Sequence, residues 1–329
     1  MLHETDLIRL PYTPDLTEGG IAYACRSLAY TYNRMGGTMF SRLRRIVVGV
    51  AVELALRRYL YGQNVPFDVL GATPFTEPDR YDIALGRHHC DVKSYLISRR
   101  HQISRLRRQP QSALQAQALI PVEQFMAEGH RADDLYLFAF LLGLVATSRQ
   151  EMGRARAAGQ PLYLVHPLPE PWSRPNCWRP LDRLTLKSEC EETLLVELGG
   201  QDANREFVIW QCELPSRRRV VAACEFYTLC YLHVNAMPSA RVGVYSPVCG
   251  APYLIPPAAW GNIWIYGMEI WLLGWLTHEE FRRRAITLVP GAAAFPYDRT
   301  RTKNLAVPMA ELQPLSPLLD RVREWRQVA

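Results

Sequence analysis

Lysine is nearly missing from this chain. Of 38 basic residues in 329, only Lys93, Lys187 and Lys303 are lysines, and arginine supplies the rest. Arginine holds a fixed, always protonated fork, whereas lysine is a compact point charge that approaches a reacting oxygen and titrates near neutrality when its surroundings lower its pKa. A lysine kept two positions from an aspartate, as Lys93 is from Asp91, is therefore a candidate for chemistry. No run of about 18 uninterrupted apolar residues occurs, and residues 135–145 are too few to cross a bilayer, so no transmembrane helix and no membrane partner are expected. The first residues carry Glu4, Asp6 and Arg9 with no long apolar region, which predicts no secretory signal. The 8 cysteines include no CxxC pair. Cys90, Cys212 and Cys224 lie in strand-like apolar runs, the pattern of reduced core thiols in a cytoplasm, and no zinc site is expected. Walker, Rossmann and helicase motifs are absent, as are repeats and low-complexity tracts, so any energy-driven translocation would fall to another subunit.

What is present is a short hairpin rich in ionisable groups. Arg80-Tyr81-Asp82-Ile83-Ala84-Leu85 and the run from His88 through Asp91-Val92-Lys93 to Ile97 read as strands joined by Gly86-Arg87, the spacing of a tight turn. Side chains alternate along a strand, so Asp91 and Lys93 share one face while Val92 takes the other. With Asp82 on the partner strand, two carboxylates can hold a hard divalent cation through oxygen, and the lysine can hold water or phosphate. Upstream, residues 40–61 read as a helix between Gly36-Gly37-Thr38 and Gly62-Gln63-Asn64, with Glu53 among Val52, Leu54 and Ala55. Such a carboxylate is costly to bury without a partner, and a metal, its water or a lysine would satisfy it.

In this order, Glu53 on a helix, the strand Pro66-Phe67-Asp68-Val69-Leu70, Asp82, then Asp91-Val92-Lys93, the chain resembles the PD-(D/E)XK nuclease superfamily over residues 38–97. Pro78-Asp79 spells the family's Pro-Asp, but Asp82 has the better strand context. The resemblance implies an α/β fold with a restriction-endonuclease-like core, a central mixed sheet flanked by helices. It also implies Glu53, Asp82 and Asp91 as ligands of Mg²⁺, with Mn²⁺ as a substitute, and Lys93 as the residue that orients or activates water. The bland reading is an exposed Asp91–Lys93 salt bridge, a turn-entry Asp82 and a Glu53–Arg57 helix pair.

The net charge of +6 gains meaning from its placement. Arg99, Arg100, Arg105, Arg107 and Arg108 follow the candidate catalytic strand directly, where phosphate-backbone contacts to DNA, or to RNA, are needed. Further clusters are Arg42, Arg44 and Arg45, then 217–219, 282–284, and Arg299, Arg301 and Lys303. Residues 111–129 read as helical or loop-helix. Residues 134–141 and 270–276 read as buried strands, the second followed by Thr277 with Glu280 as a capping box. The expected organisation is a core in two pieces, 1–149 and 263–329, around a β-rich insertion at 150–262. In that insertion Tyr227, Tyr231, His233, Tyr245, Tyr253 and Trp260 are candidates for a base-stacking or partner surface. The expectation is a cytoplasmic metal-dependent DNA nuclease in prokaryotic defence, as a homo-oligomer or as one subunit of a defence complex. The alternative is a nucleic-acid-binding or assembly subunit that keeps the fold without cleaving.

Overall fold

The sheet that carries the hairpin is assembled from segments distant in sequence. A computed structural model describes residues 2–28, 38–69, 81–127 and 129–325; Asp79, Leu70 and the Gly36-Gly37 pair lie outside them. The chain divides into two compact units. The first comprises Met1–Gly20, Arg45–Leu144 and Ile265–Ala329, and the second Ile21–Arg44 and Val145–Trp264. The second unit thus includes a piece of the N-terminal region, 21–44, whose described residues belong largely to the helices Pro14–Ser27 and Met39–Gly62.

In chain order the elements up to the hairpin are β1 (Ile8–Pro11), α1 (Pro14–Ser27), α2 (Met39–Gly62), β2 (Asp68–Val69), β3 (Ile83–Leu85) and β4 (His88–Ile97). There follow α3 (Arg100–Arg108), β5 (Gln117–Pro121), α4 (Val122–Phe125), β6 (Leu135–Val145) and α5 (Arg149–Ala157). The β-rich stretch holds β7 (Leu164–Pro167), α6 (Glu170–Ser173), β8 (Thr185–Ser188), β9 (Leu194–Gln201), β10 (Phe207–Leu214), β11 (Arg219–Val221), β12 (Thr228–Val234), β13 (Val242–Tyr245), β14 (Tyr253–Ile255) and β15 (Gly261–Asn262). The chain closes with β16 (Ile265–Thr277), α7 (His278–Arg284), β17 (Ile286–Leu288), β18 (Asn304–Pro308) and α8 (Leu315–Trp325).

The first unit is mixed α/β. Its six-stranded sheet runs β1-β16-β6-β4-β3-β2. β2 is antiparallel to β3 and β3 to β4, whereas β4 runs parallel to β6. A positive φ of 63° at Gly86 fits the first central position of a type II′ turn, which the missing Cβ permits, and it closes Leu85 onto His88. β6 is buried on both faces along most of its length, so it reads as one continuous apolar run. Its Phe138 and Phe140 join Trp271 of β16 and Phe281 of α7 in one buried core cluster. α7 starts as its sequence predicts: Thr277 Oγ1 accepts from Glu280 N at 3.1 Å, and Glu280 Oε2 accepts from Thr277 N at 3.1 Å.

Residues 111–129 differ from the helical expectation. They give a short 3-10 turn at Pro110–Gln115, then β5, then one helical turn. β5 pairs with β18 nearly two hundred residues later, in a three-stranded sheet β17-β18-β5. That distant partner overrides local propensity.

The second unit holds two antiparallel sheets, β10-β9-β12-β7-β15 and β11-β8-β13-β14. Two of the aromatic side chains proposed for a surface are in its interior instead: Tyr231 is 0% and Trp260 2% exposed. Cys224 also departs from expectation, since it lies beyond the end of β11 and outside any strand.

Candidate functional site

β4 places the lysine and its aspartate as alternation predicts. Lys93 Nζ lies 2.7 Å from Asp91 Oδ2, and both side chains are largely buried, 18% and 17% exposed. Nζ also donates to Gln124 Oε1 at 3.1 Å, a partner from α4. On the same face of β4, Tyr95 and Ile97 enter the core with Ile103 and Leu106 of α3. The pair therefore stands where a polar strand start gives way to an apolar end.

Asp82 reaches the same strand through its backbone. Its N–H donates to Cys90 O at 3.0 Å, and its Oδ2 accepts from Val92 N at 2.6 Å. The carboxylate thus stands in for a ladder carbonyl beside Asp91. The fully buried Cys90 thiol registers this convergence: burial pushes its pKa well up, and the negative charges of Asp82, Asp91 and Asp134 add to the effect in that order.

Glu53 comes from α2. It pairs with Arg57 at 3.5 Å, one turn along, and the Arg57 guanidinium also lies 3.5 Å from the carbonyl oxygen of Asp82. A Cβ placed on Gly49 would stand 3.9 Å from Ser94 Oγ and 4.0 Å from Glu53 Oε1. Ser94 alternates with Lys93, so Glu53 approaches β4 from the side opposite the Asp91–Lys93 pair. Among the described residues, no group of three or more His, Cys, Asp or Glu side chains is placed to hold one metal ion. Asp82 and Asp91 remain an all-oxygen pair, which fits Mg²⁺, since that ion is commonly held by one or two carboxylates with water and phosphate completing its octahedron.

A second polar layer borders the pair and had no local signal in the sequence. Tyr136 of β6 is the register partner of Asp91. Its hydroxyl lies 3.0 Å from His278 Nδ1, and its pKa is raised by burial and then by Asp91. The His278 ring stacks on Phe125 at 4.2 Å and on His130 at 5.2 Å. Burial, then His130, lowers the His278 pKa, against the pull of Asp134. Asp134, buried at 2% exposure, accepts from Tyr81 OH at 2.6 Å and from Arg131 N at 2.7 Å. These residues are brought together by the parallel β4–β6 register and by α4 and α7, so the hairpin's own sequence does not reveal them.

The five arginines after β4 are all exposed, with Ile103 and Leu106 forming the buried stripe of α3. They are not equivalent. Arg99 pairs with Asp298 and Arg107 with Glu269. Arg105 donates to the neutral Gln115 at 2.6 Å, and Arg108 to the carbonyl of Ser104 at 3.2 Å. The basic face is thus carried by Arg100, Arg105 and Arg108.

No family model, curated protein or solved structure matches this chain.

Proposed function

We propose that this chain is a Mg²⁺-dependent nuclease of the PD-(D/E)XK type that hydrolyses phosphodiester bonds of DNA from the β3–β4 hairpin. The observation that carries the reading is the convergence on one stretch of β4: Asp82 held on Val92 N at 2.6 Å, and Lys93 on Asp91 at 2.7 Å. The order of elements supports it, because α2, β2, β3 and β4 give a helix followed by three strands, the order in which the resemblance sets its acidic residues and lysine.

In this reading Asp82 and Asp91 bind the cation. Glu53, on the other side of β4, is not a third ligand in this reading: it pairs with Arg57, whose guanidinium lies beside the Asp82 carbonyl. Mg²⁺, when bound, lowers the pKa of water and neutralises charge that develops on the phosphate. Lys93 supplies N–H donors to the attacking water or to a phosphate oxygen, and Gln124 fixes its direction by accepting one of them. Arg100, Arg105 and Arg108 take the DNA backbone. A role in prokaryotic defence belongs to the same proposal. The second reading, a nuclease-like subunit that binds without cleaving, is favoured by one fact: the described residues offer no three-donor metal group.

The test is cleavage of linear, circular and single-stranded DNA and of RNA with Mg²⁺, Mn²⁺ or EDTA. The expected result is Mg²⁺-dependent cleavage of DNA, abolished by EDTA and by Asp91→Ala. Full activity of the Asp91→Ala protein or in EDTA overturns the site assignment. Binding without cleavage under every metal condition selects the second reading.

A further inference from the structure

The β9-β10-β12 face of the second unit carries a polar row that nuclease chemistry does not use. Gln211 of β10 and His233 of β12 are both register partners of Glu197 on β9, so three polar side chains line up across three strands. The register shifts between Leu229 and Tyr231. That irregularity re-aims the strand, so Tyr231 and His233 share the face of Glu197. Gly199 is required there: a Cβ would stand 2.0 Å from the Tyr231 ring, so only glycine lets that ring lie across β9 towards Glu197.

Glu197 is 8% exposed and held from two sides. Its Oε1 accepts from Tyr231 OH at 2.7 Å and Tyr163 OH at 3.3 Å, and its Oε2 accepts from Gln211 Nε2 at 2.7 Å. These three neutral donors fix the position of the carboxylate. His233 stacks on Tyr163 at 3.8 Å, and its Nδ1 donates to Leu164 O at 3.0 Å, which leaves Nε2 as an acceptor. Burial lowers its pKa and so keeps it uncharged near neutrality. Above this row lies a cleft of about 360 Å³, at the lower end of the range for small-molecule sites. Leu195, Val196, Cys212, Glu213 and Asn235 complete its walls, and none of its eight lining residues is lysine or arginine. In a chain with 38 basic residues, two glutamates facing a cleft without a counter-cation form a site of distinct charge.

We propose that this cleft binds a small organic cation, an alkyl ammonium or guanidinium, through Glu197 at its base and Glu213 at its rim. The ligand's N–H groups meet three acceptors, two carboxylates and the imidazole, and Gln211 and Asn235 add amide groups to the same lining. A charge-assisted hydrogen bond contributes about 1.5–3 kcal/mol, so losing one weakens binding about tenfold or more.

The test is calorimetric titration of the full chain with putrescine and agmatine, against 1,4-butanediol and succinate as neutral and anionic probes of similar length. The expected result is one saturable site for the two cations and none for the other two. Glu197→Gln should weaken binding about tenfold or more. Glu213→Gln, which changes an exposed rim residue and leaves the core intact, should weaken it several-fold with the melting temperature unchanged. Binding of the diol as tight as that of the diamine, no saturation by either cation, or parental affinity in the folded Glu213→Gln protein overturns the proposal.

Discussion

At the scale of single residues, Lys93 carries the sharpest prediction. Its ammonium is shared between Asp91 and Gln124, an arrangement that fits three separate N–H vectors about one nitrogen. Lys93→Arg keeps the charge but spreads it over a planar fork that is too broad for that space. Hydrolysis should fall steeply while DNA affinity changes little, measured as single-turnover rate against binding isotherm. Near-normal rates in the arginine variant would return Lys93 to the salt bridge that the bland reading assigns. The pairing of Asp91 with Lys93 was legible from strand alternation and from the rarity of lysine. The side from which Glu53 approaches was not, since a helix's rotation over a sheet depends on which residues it packs against. The same holds for Gln124 and Tyr136, which reach the site only through the fold.

At the scale of elements, the strands with a strong period or a capping signal were readable: the β3–β4 hairpin, β6, β16 and the Thr277 cap. β5 was not, because its partner β18 is distant and its own five residues are ambiguous between helix and strand. The basic character of α3 was legible, but its distribution was not. Asp298 and Glu269, each more than 150 residues away, offset Arg99 and Arg107. Neutralising Arg100, Arg105 and Arg108 should therefore account for most of what neutralising all five removes. The salt dependence of DNA binding should flatten by roughly 0.9 log–log units for each DNA phosphate that is no longer neutralised, and cleavage should recover at high DNA concentration. An unchanged slope in the triple variant would show that the DNA path lies elsewhere.

At the scale of the whole molecule, stability should depend on pH through histidines of the second unit. His166 and His233 are both held below their ordinary value of 6.5, with burial the leading cause in each. The unfolded chain then takes up a proton before the folded one does. Their contribution is fully present above about pH 6.5 and is lost as pH falls towards the folded values. Carboxylates act in a lower window. Glu151 and Glu192 are held below their ordinary value of 4.5 chiefly by side-chain hydrogen bonds, from Thr147 and Ser239 respectively. Their stabilisation persists until pH drops under that value, so the interval between belongs to the imidazoles. Calorimetric scans from about pH 7.5 to about 5 should show a falling melting temperature, and the slope should lessen in His166→Gln and His233→Gln. His166 bridges Ala259 O at 2.9 Å and the Tyr253 hydroxyl at 3.0 Å, so its glutamine variant keeps a donor and an acceptor at that junction. A melting temperature flat across this interval would place acid sensitivity on the carboxylates instead, and glutamine variants with the parental slope would place it on His278 of the first unit, which burial also holds below its ordinary value, or on the carboxylates.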